Sequence, residues 1–265
     1  MKDILIKELN TFEQFKDCYH LQDKIWNLSD KDKISAITLK ALTMRYPQMG
    51  IVIGAFIEKM IGFAVFFPTQ EVNTLYGHII GVLKEYADAN IGVKMLMKAQ
   101  EICSEREIIK ICWTYEPLEG RNANLYINKM GAIAVKYEEE YFEVEDELNR
   151  GFPIDRFIVD WNIQSKRVVD RINKKTEKKS LSDIIKLYKT VTNHYFPNDK
   201  TVLVEIPSDL QKIKKENMTK AIEYRMNTRK IFNEYLNNRG FIISELYSEI
   251  INNERRNYYL LEKRN

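Results

Sequence analysis

The 265-residue sequence predicts a mixed α/β (α+β) chain. Three observations predict it. Residues 51–57 and 60–67 are apolar runs broken by Glu58-Lys59, the pattern of a hairpin. Residues 73–142 read strand, turn, helix, strand, short helix, strand. From 201 onward a strand–helix–strand–strand pattern returns. Hydrophobic content of 45% with 30% charge fits a globular protein, and the length suffices for one large domain or two small ones.

Each element has a local reason. Residues 3–9 read as a strand. Thr11 caps a helix over 11–26, with Gln14 at the capping-box position and a stripe of Phe15, Cys18, Tyr19, Gln22 and Trp26. A second helix over 35–45 stops before Pro47, and Pro68 ends the second hairpin strand. Residues 73–82 form a strand, 84–90 a small polar turn, and Ile91, Met95, Ala99 and Ile102 mark one face of a helix. Strands follow at 108–113, 132–137 and 157–161. Between the first two lies a short helix closed by Gly131. In the C-terminal part, 201–206 is a strand. Ser208 with Gln211 caps a long helix whose inward stripe is Ile222, Met226, Ile231, Tyr235 and Leu236. Gly240 closes it, and 241–247 and 257–262 are two antiparallel strands. No full internal repeat is read.

Charge is uneven. Residues 162–265 hold 22 Lys and Arg against 13 Asp and Glu, net +9, and 1–161 hold 19 against 25, net −6. The basic run 166–179 reads as a solvated linker or helix face, with attraction of a ligand's phosphates as the sharper alternative. It lacks interleaved aromatics, which argues against nucleic acid. Cys18, Cys103 and Cys112 have no disulfide or zinc spacing and are expected as reduced thiols, which points to the cytoplasm. The N-terminus carries no leader pattern, no run is long enough to span a membrane, and no metal-ligand cluster is present.

The strand over 73–82 feeds a turn at a helix N-terminus. Free N–H groups and the helix dipole favour an anion there. The turn is Ala87-Asp88-Ala89-Asn90-Ile91-Gly92. It is flanked by His78-Ile79-Ile80-Gly81-Val82, by Trp113-Thr114-Tyr115-Glu116-Pro117-Leu118-Glu119-Gly120-Arg121-Asn122-Ala123, and by Asn128-Lys129-Met130-Gly131-Ala132. The pattern continues at Leu148-Asn149-Arg150-Gly151-Phe152-Pro153, at Asp155-Arg156-Phe157 and at Val204-Glu205-Ile206-Pro207. These residues resemble the GNAT superfamily of acyl-CoA N-acyltransferases, in particular a branch of predicted acetyltransferases with a C-terminal extension. The family's loop pattern, Gln/Arg-x-x-Gly-x-Gly/Ala, keeps only its last glycine here. Ala87 stands for the Arg or Gln, and Asn90 for the first glycine. Asn tolerates a left-handed backbone, so the turn can form. Asp88 adds a negative charge, and Lys84, Lys94 and Lys98 would offset it.

The resemblance implies a mixed, mostly antiparallel sheet flanked by helices. It implies a GNAT-like acyltransferase domain over 1–161 with a basic α+β extension, 162–265, packed on it. It implies acyl-CoA as co-substrate, bound by Ile80 and Val82 backbone groups, by the loop residues Ala87, Asp88, Ala89, Asn90, Ile91, Gly92 and Val93, and by Asn122. Asn122 alternatively caps the short helix.

Acyl transfer to an amine needs a base, an oxyanion donor and a proton for the thiolate. His78 is the first base candidate, placed two and four residues before Ile80 and Val82 and so on their strand face. Glu116 is the second. Arg121 and Glu119 are candidate substrate contacts, Arg121 pairing with a carboxylate. In many GNAT enzymes the acid is a tyrosine four residues before the glycine ending the short helix. That position is Ile127, and Tyr126 lies one residue off, about 100° away on an α-helix. Tyr137 and Tyr141 are further donors.

The resemblance therefore implies transfer of an acetyl or other short acyl group, succinyl included, from coenzyme A to a small-molecule amine such as an amino acid, and the lack of a nucleophilic Cys or Ser motif favours direct attack in a ternary complex. The alternative is a non-catalytic protein that binds coenzyme A or a small ligand on the same fold.

Overall fold

The computed structural model describes residues 3–44, 46, 49–87, 89–142, 151–177 and 179–264. Arg45, Pro47, Asp88, Leu148, Asn149, Arg150 and Lys178 lie outside them. The chain divides into two compact units, Met1–Trp113 and Thr114–Asn265.

In the first unit the strands are β1 (Leu5–Glu8), β2 (Ile51–Ile57), β3 (Lys59–Pro68), β4 (Thr74–Val82) and β5 (Lys110–Tyr115), in that spatial order. β1 to β4 pair antiparallel, and β4 pairs parallel with β5. Helix α1 (Phe12–Trp26) carries the expected capping box, with Gln14 and Thr11 satisfying each other's backbone. Its buried face is Phe15, Cys18, Leu21 and Gln22; Tyr19 and Trp26 are only half-buried. Gln22 is polar yet buried, and its side-chain amide is satisfied there. It bonds both the N–H and the carbonyl of Ile34, at 2.8 and 3.0 Å. Ser35 caps α2 (Ala36–Leu42). These two helices pack on Phe63 and Val65 of β3. Helix α3 (Ile91–Glu105) buries the predicted Ile91, Met95, Ala99 and Ile102, together with Leu96 and Cys103. It packs on β1 to β4. Arg106, at its C-terminus, grips the Glu8 carboxylate of β1 at 2.7 and 2.8 Å.

In the second unit the strands are β6 (Ile133–Glu138), β7 (Arg156–Asn162), β8 (Thr201–Ile206), β9 (Phe241–Ile251) and β10 (Glu254–Lys263). Their order is β7-β6-β9-β10-β8, antiparallel throughout. The helices are α4 (Gly120–Ala123), α5 (Lys166–Ile172), α6 (Leu181–Leu187), α7 (Leu210–Glu216) and α8 (Met218–Phe232). Asn252 and Asn253, both at positive φ, make the tight β9–β10 turn. The expected C-terminal strand–helix–strand–strand order is present. Its packing partner is the stretch that starts at Thr114. β9 pairs directly with β6, inside the unit that runs from Thr114 to Asn265.

Three local expectations change. The long C-terminal helix is two helices, capped by Asp209 and Asn217 and not by Ser208. Its buried face is Ala221, Arg225, Thr228, Ile231 and Phe232, while Ile222 and Met226 are half-buried. An apolar-stripe reading misplaces that face because an arginine sits at its centre. Finally, the basic run is no uniform solvated face. Arg167 donates to the Gly131 carbonyl at 2.9 Å and to the Ser244 carbonyl, and Arg171 pairs with Glu245.

Arg225 is fully buried. Its Nη2 donates to the Glu116 carboxylate, and its Nε lies 3.7 Å from Asp155. Asp155, also fully buried, accepts from Arg229 twice at 2.7 and 2.9 Å, from the Glu140 N–H at 3.0 Å and from the Tyr137 hydroxyl. Removing one member leaves an uncompensated buried charge, which costs about 3–5 kcal/mol. Arg225→Met is therefore expected to lower stability by that order in urea unfolding, and a shift below about 1 kcal/mol would show the charges to be solvated.

Candidate functional site

In the first unit the parallel ladder between β4 and β5 runs from Thr74↔Lys110 to Gly77↔Trp113. β4 continues for five more residues, His78 to Val82. On its other side β4 pairs with β3 as Phe66↔Gly77 and then Val65↔Ile79, so His78 is the extra residue of a β-bulge. The bulge alters the expected alternation. Phe67 pairs with Tyr76 and Val65 with Ile79, and Phe67, Val65 and Ile79 belong to the α1–α2 core. The His78 ring packs edge-on to Phe67 at 5.1 Å and lies 6.2 Å from Tyr76. His78 thus shares the α1–α2 face with Ile79, while Ile80 and Val82 alternate to the other face. His78 is exposed, yet these neighbours partly desolvate it and hold its imidazole below the ordinary value of 6.5.

Beyond β4 the chain makes a single 3₁₀ turn, Lys84–Tyr86, and Ala89 N–H bonds back to the Tyr86 carbonyl at 3.2 Å. Asn90 is left-handed (φ 54, ψ 26), the conformation a glycine would supply most cheaply, and α3 starts at the next residue. No described side chain caps α3, and its first turn holds no acidic residue. The first helical acceptor in use is the Asn90 carbonyl, bonded by Lys94 N–H at 3.1 Å. The N–H groups of Ile91, Gly92 and Val93 precede that bond and point out of the helix end. Ala87, Ala89 and Lys84 are exposed beside them, as is Lys94, whereas Lys98 is engaged with Glu101 at 2.7 Å. The arrangement can hold an anion.

The second unit places the remaining candidates. Glu116 accepts from Leu118 N–H at 2.9 Å and from Arg225. Glu119 precedes α4 as its N-cap residue, so Asn122 lies inside that helix and is not its cap. Burial raises the Glu119 carboxyl, and Gln211 donates to it at 3.3 Å. Arg121 is exposed and Asn122 half-buried.

Tyr126 stands in a π-helical stretch, Asn124–Lys129, that continues α4. Met130 N–H bonds to the Leu125 carbonyl at 3.0 Å, an i→i+5 bond. A π turn holds one residue more than an α turn. The residue five before Gly131 therefore takes the place that the residue four before would have on an α-helix, and this removes the offset read from the sequence. Tyr126 is buried against Tyr115, with ring centroids 5.5 Å apart, and burial pushes its hydroxyl up to about 12. Of the other donors, Tyr137 is spent on Asp155, and Tyr141 is half-exposed beside Phe142.

Sequence reasoning missed Arg225 and Arg229, charged groups behind Glu116. It named Asp155 and Asn128 only as pattern residues, without the ion pair of the first or the bonds of the second to the Leu246 backbone. Among the described residues no group of three or more His, Cys, Asp or Glu could hold a metal, and no helix is long and apolar enough to cross a membrane. Cys18 and Cys103 are buried free thiols, while Cys112 is half-buried, with its Sγ 3.5 Å from the Leu75 carbonyl.

No curated protein matches the chain. Among solved structures it resembles an N-acetyltransferase from Staphylococcus aureus Mu50 at 12% identity, with 61% of this chain and 99% of that one covered and a TM-score of 0.51. It also resembles the ribosomal-protein-S18-alanine N-acetyltransferase from Escherichia coli at 15% identity, with 62% and 96% covered and a TM-score of 0.50. At these identities the likeness is one of fold. Residues 11–132, somewhat under half of the chain, match the family model described as acetyltransferase (GNAT) family, and the mixed, mostly antiparallel sheet flanked by helices is a GNAT-like fold.

Proposed function

We propose that the protein transfers an acyl group from coenzyme A to the amine of a small molecule, an amino acid among the candidates, by direct attack within a ternary complex. Acetyl and other short acyl groups, succinyl included, are the donors in view. The observation that carries the reading is a strand, β4, that outruns its parallel partner and leads through left-handed Asn90 into the start of helix α3. In this reading the N–H groups of Ile91, Gly92 and Val93 hold the pyrophosphate, assisted by Lys84 and Lys94. The backbone of Ile80 and Val82 holds the pantetheine arm, and Asn122 contacts its amides.

The thioester supplies an activated acyl carbon. The acceptor nitrogen bonds to that carbon, the C–S bond breaks, and the sulfur leaves as a thiolate. His78 takes the proton from the amine, because its depressed pKa keeps the ring neutral near pH 7. Tyr126 protonates the thiolate, because burial keeps its phenol protonated. Glu116 is left as an anchor for Arg225, and Arg121 and Glu119 are the remaining contacts for acceptor groups.

Coenzyme A is expected to bind with Kd on the order of 10–100 μM, roughly −5.5 to −7 kcal/mol, since Ala87 offers no charge to the pyrophosphate. It should raise the melting temperature by mass action. Gly92→Asp should abolish that rise, and equal rises in both proteins would remove the loop from the site.

Turnover in a thiol-release assay over an amine panel should fall by about 10²–10⁴ in His78→Gln with coenzyme A binding retained. The pH profile fixes the sign. Desolvation places the imidazole below 6.5, so kcat/KM should rise with pH through a limb below that value and stay flat to neutrality. The limb should vanish in His78→Gln. A limb unchanged by the substitution would move the base elsewhere, and coenzyme A binding with no thiol release on any amine would favour the non-catalytic reading.

A further inference from the structure

The second unit contains one substructure twice. Asn124-Leu125-Tyr126-Ile127-Asn128-Lys129-Met130-Gly131 and Asn233-Glu234-Tyr235-Leu236-Asn237-Asn238-Arg239-Gly240 share Asn, Tyr, Asn and Gly at the same four places, 109 residues apart. Both stretches are π-helical over the same six positions, Asn124–Lys129 and Asn233–Asn238. Both end in a glycine at positive φ, 73° at Gly131 and 70° at Gly240. Both lead into a strand, β6 or β9, that pairs antiparallel with the next strand, β7 or β10.

The hydrogen bonds repeat at the same spacing. Met130 N–H to Leu125 carbonyl and Arg239 N–H to Glu234 carbonyl are both 3.0 Å. Asn128 donates to the Asn124 side chain at 3.1 Å, and Asn237 to the Asn233 side chain at 2.7 Å. π stretches are rare, so two of them with matching sequence, cap and bonds are one feature used twice.

The two copies also face each other symmetrically. Asn128 clamps the backbone of Leu246 in β9, donating to its carbonyl at 2.8 Å and accepting from its N–H at 3.1 Å. Asn237 clamps the backbone of Tyr137 in β6, again at 2.8 and 3.1 Å. Tyr137 and Leu246 are themselves 109 apart. At the seam Ala134 pairs with Ile243, its own counterpart at that spacing. Residue i of one copy thus meets residue j of the other, and j meets i, which is the rule of an isologous two-fold interface. The strand order β7-β6-β9-β10 is its own mirror about that seam.

We propose that residues 114–265 are an intramolecular pseudo-dimer. The β6 edge and π turn of the first copy form a docking surface for a second copy of the same half-fold, supplied by the same chain, and acyl transfer is confined to the first copy. The confinement follows from Tyr235, the counterpart of Tyr126. Its hydroxyl donates to the Pro197 carbonyl at 2.7 Å, and its ring stacks on Phe196. Arg239 covers that ring at 4.8 Å and donates to the same carbonyl at 3.0 Å. The chain's own Phe196-Pro197 segment therefore occupies the second tyrosine, which holds structure and moves no proton. Confinement rests on the function proposed above; the pseudo-dimer does not.

Hydrogen exchange of the full chain, read at single amides, tests the pseudo-dimer. Crossed effects are expected. Asn128→Ala should speed exchange at Leu246 by tenfold or more and spare Tyr137, whereas Asn237→Ala should speed exchange at Tyr137 and spare Leu246. Effects confined to the substituted copy, or none, would overturn the two-fold clamp. Should an alanine variant not fold, Asn128→Asp and Asn237→Asp keep the acceptor and lose the donor. Their urea midpoints should fall by amounts within twofold of each other, and a loss in only one would overturn the equivalence. For the confinement, calorimetry should give one coenzyme A per chain. Tyr235→Phe should keep turnover within twofold of wild type with a lowered melting temperature, and Tyr126→Phe should lose at least tenfold. Two coenzyme A per chain, or lost turnover in Tyr235→Phe at full stability, would overturn it. No coenzyme A binding at all would remove the proposed function and leave the exchange result standing.

Discussion

A buried arginine organises the second unit. Arg225 has no solvent exposure, so its charge must be met inside the protein. Burial works against its protonated form, and Glu116, Tyr137 and Asp155 outweigh that, so its pKa is raised and the cation persists. Phe152 lies 4.9 Å from the guanidinium, and Lys214 lies 4.6 Å from the same ring. Through these contacts α8 is fixed to the turn after β5 by Glu116, and to the approach to β7 by Asp155. Glu116 in turn accepts from Leu118, two residues before the α4 start. The stretch that leads to Tyr126 is thereby held from its N-terminal side by a charge and from its C-terminal side by the Asn128 clamp.

The same arginine marks where the two copies differ. The first copy reaches its π turn through the four-residue α4, and the second through the fifteen-residue α8. Arg225, Thr228 and Arg229 all lie on that longer helix, and Arg225 and Arg229 reach carboxylates of the first copy. Symmetry accounts for the seam. The departure from symmetry accounts for the ionic lock, since a copy with a short helix has no side chain to extend across. A duplicated half-fold that lengthens one helix can become a dedicated support for the other half.

Much of the fold was legible because its signals are local. The Thr11–Gln14 box, the Glu58-Lys59 turn and the Ile91–Ile102 face each lie within a few residues, and the structure keeps all three. Other features depend on partners distant in sequence. The α8 inward face was displaced by one residue because Ile222 and Met226 read as apolar, while the buried positions belong to Ala221 and Arg225. Only a carboxylate 109 residues away explains a buried arginine. The repeat was present in the sequence as Asn-x-Tyr-x-Asn-x-x-Gly at 124 and 233. It was hidden because the helices before it differ in length and because a tyrosine offset by one residue reads as a loss on an α-helix. A search for i→i+5 spacing between tyrosine and glycine would have found both.

Two backbone features of the candidate site show how departures in sequence and constancy of geometry coexist. The turn before α3 needs one left-handed residue, and Asn90 supplies it at a cost below the roughly 1–2 kcal/mol that most residues would incur, because its short polar side chain tolerates that region. What an anion meets there is a set of N–H groups, which any residue but proline provides. At β4 the logic runs the other way. One extra residue in the ladder with β3 turns His78 to the α1–α2 face, while Ile80 and Val82 keep theirs. A strand without that bulge would put all three on one face. With it, the strand turns the imidazole to the side that packs on α1 and α2 and the Ile80 and Val82 side chains to the other.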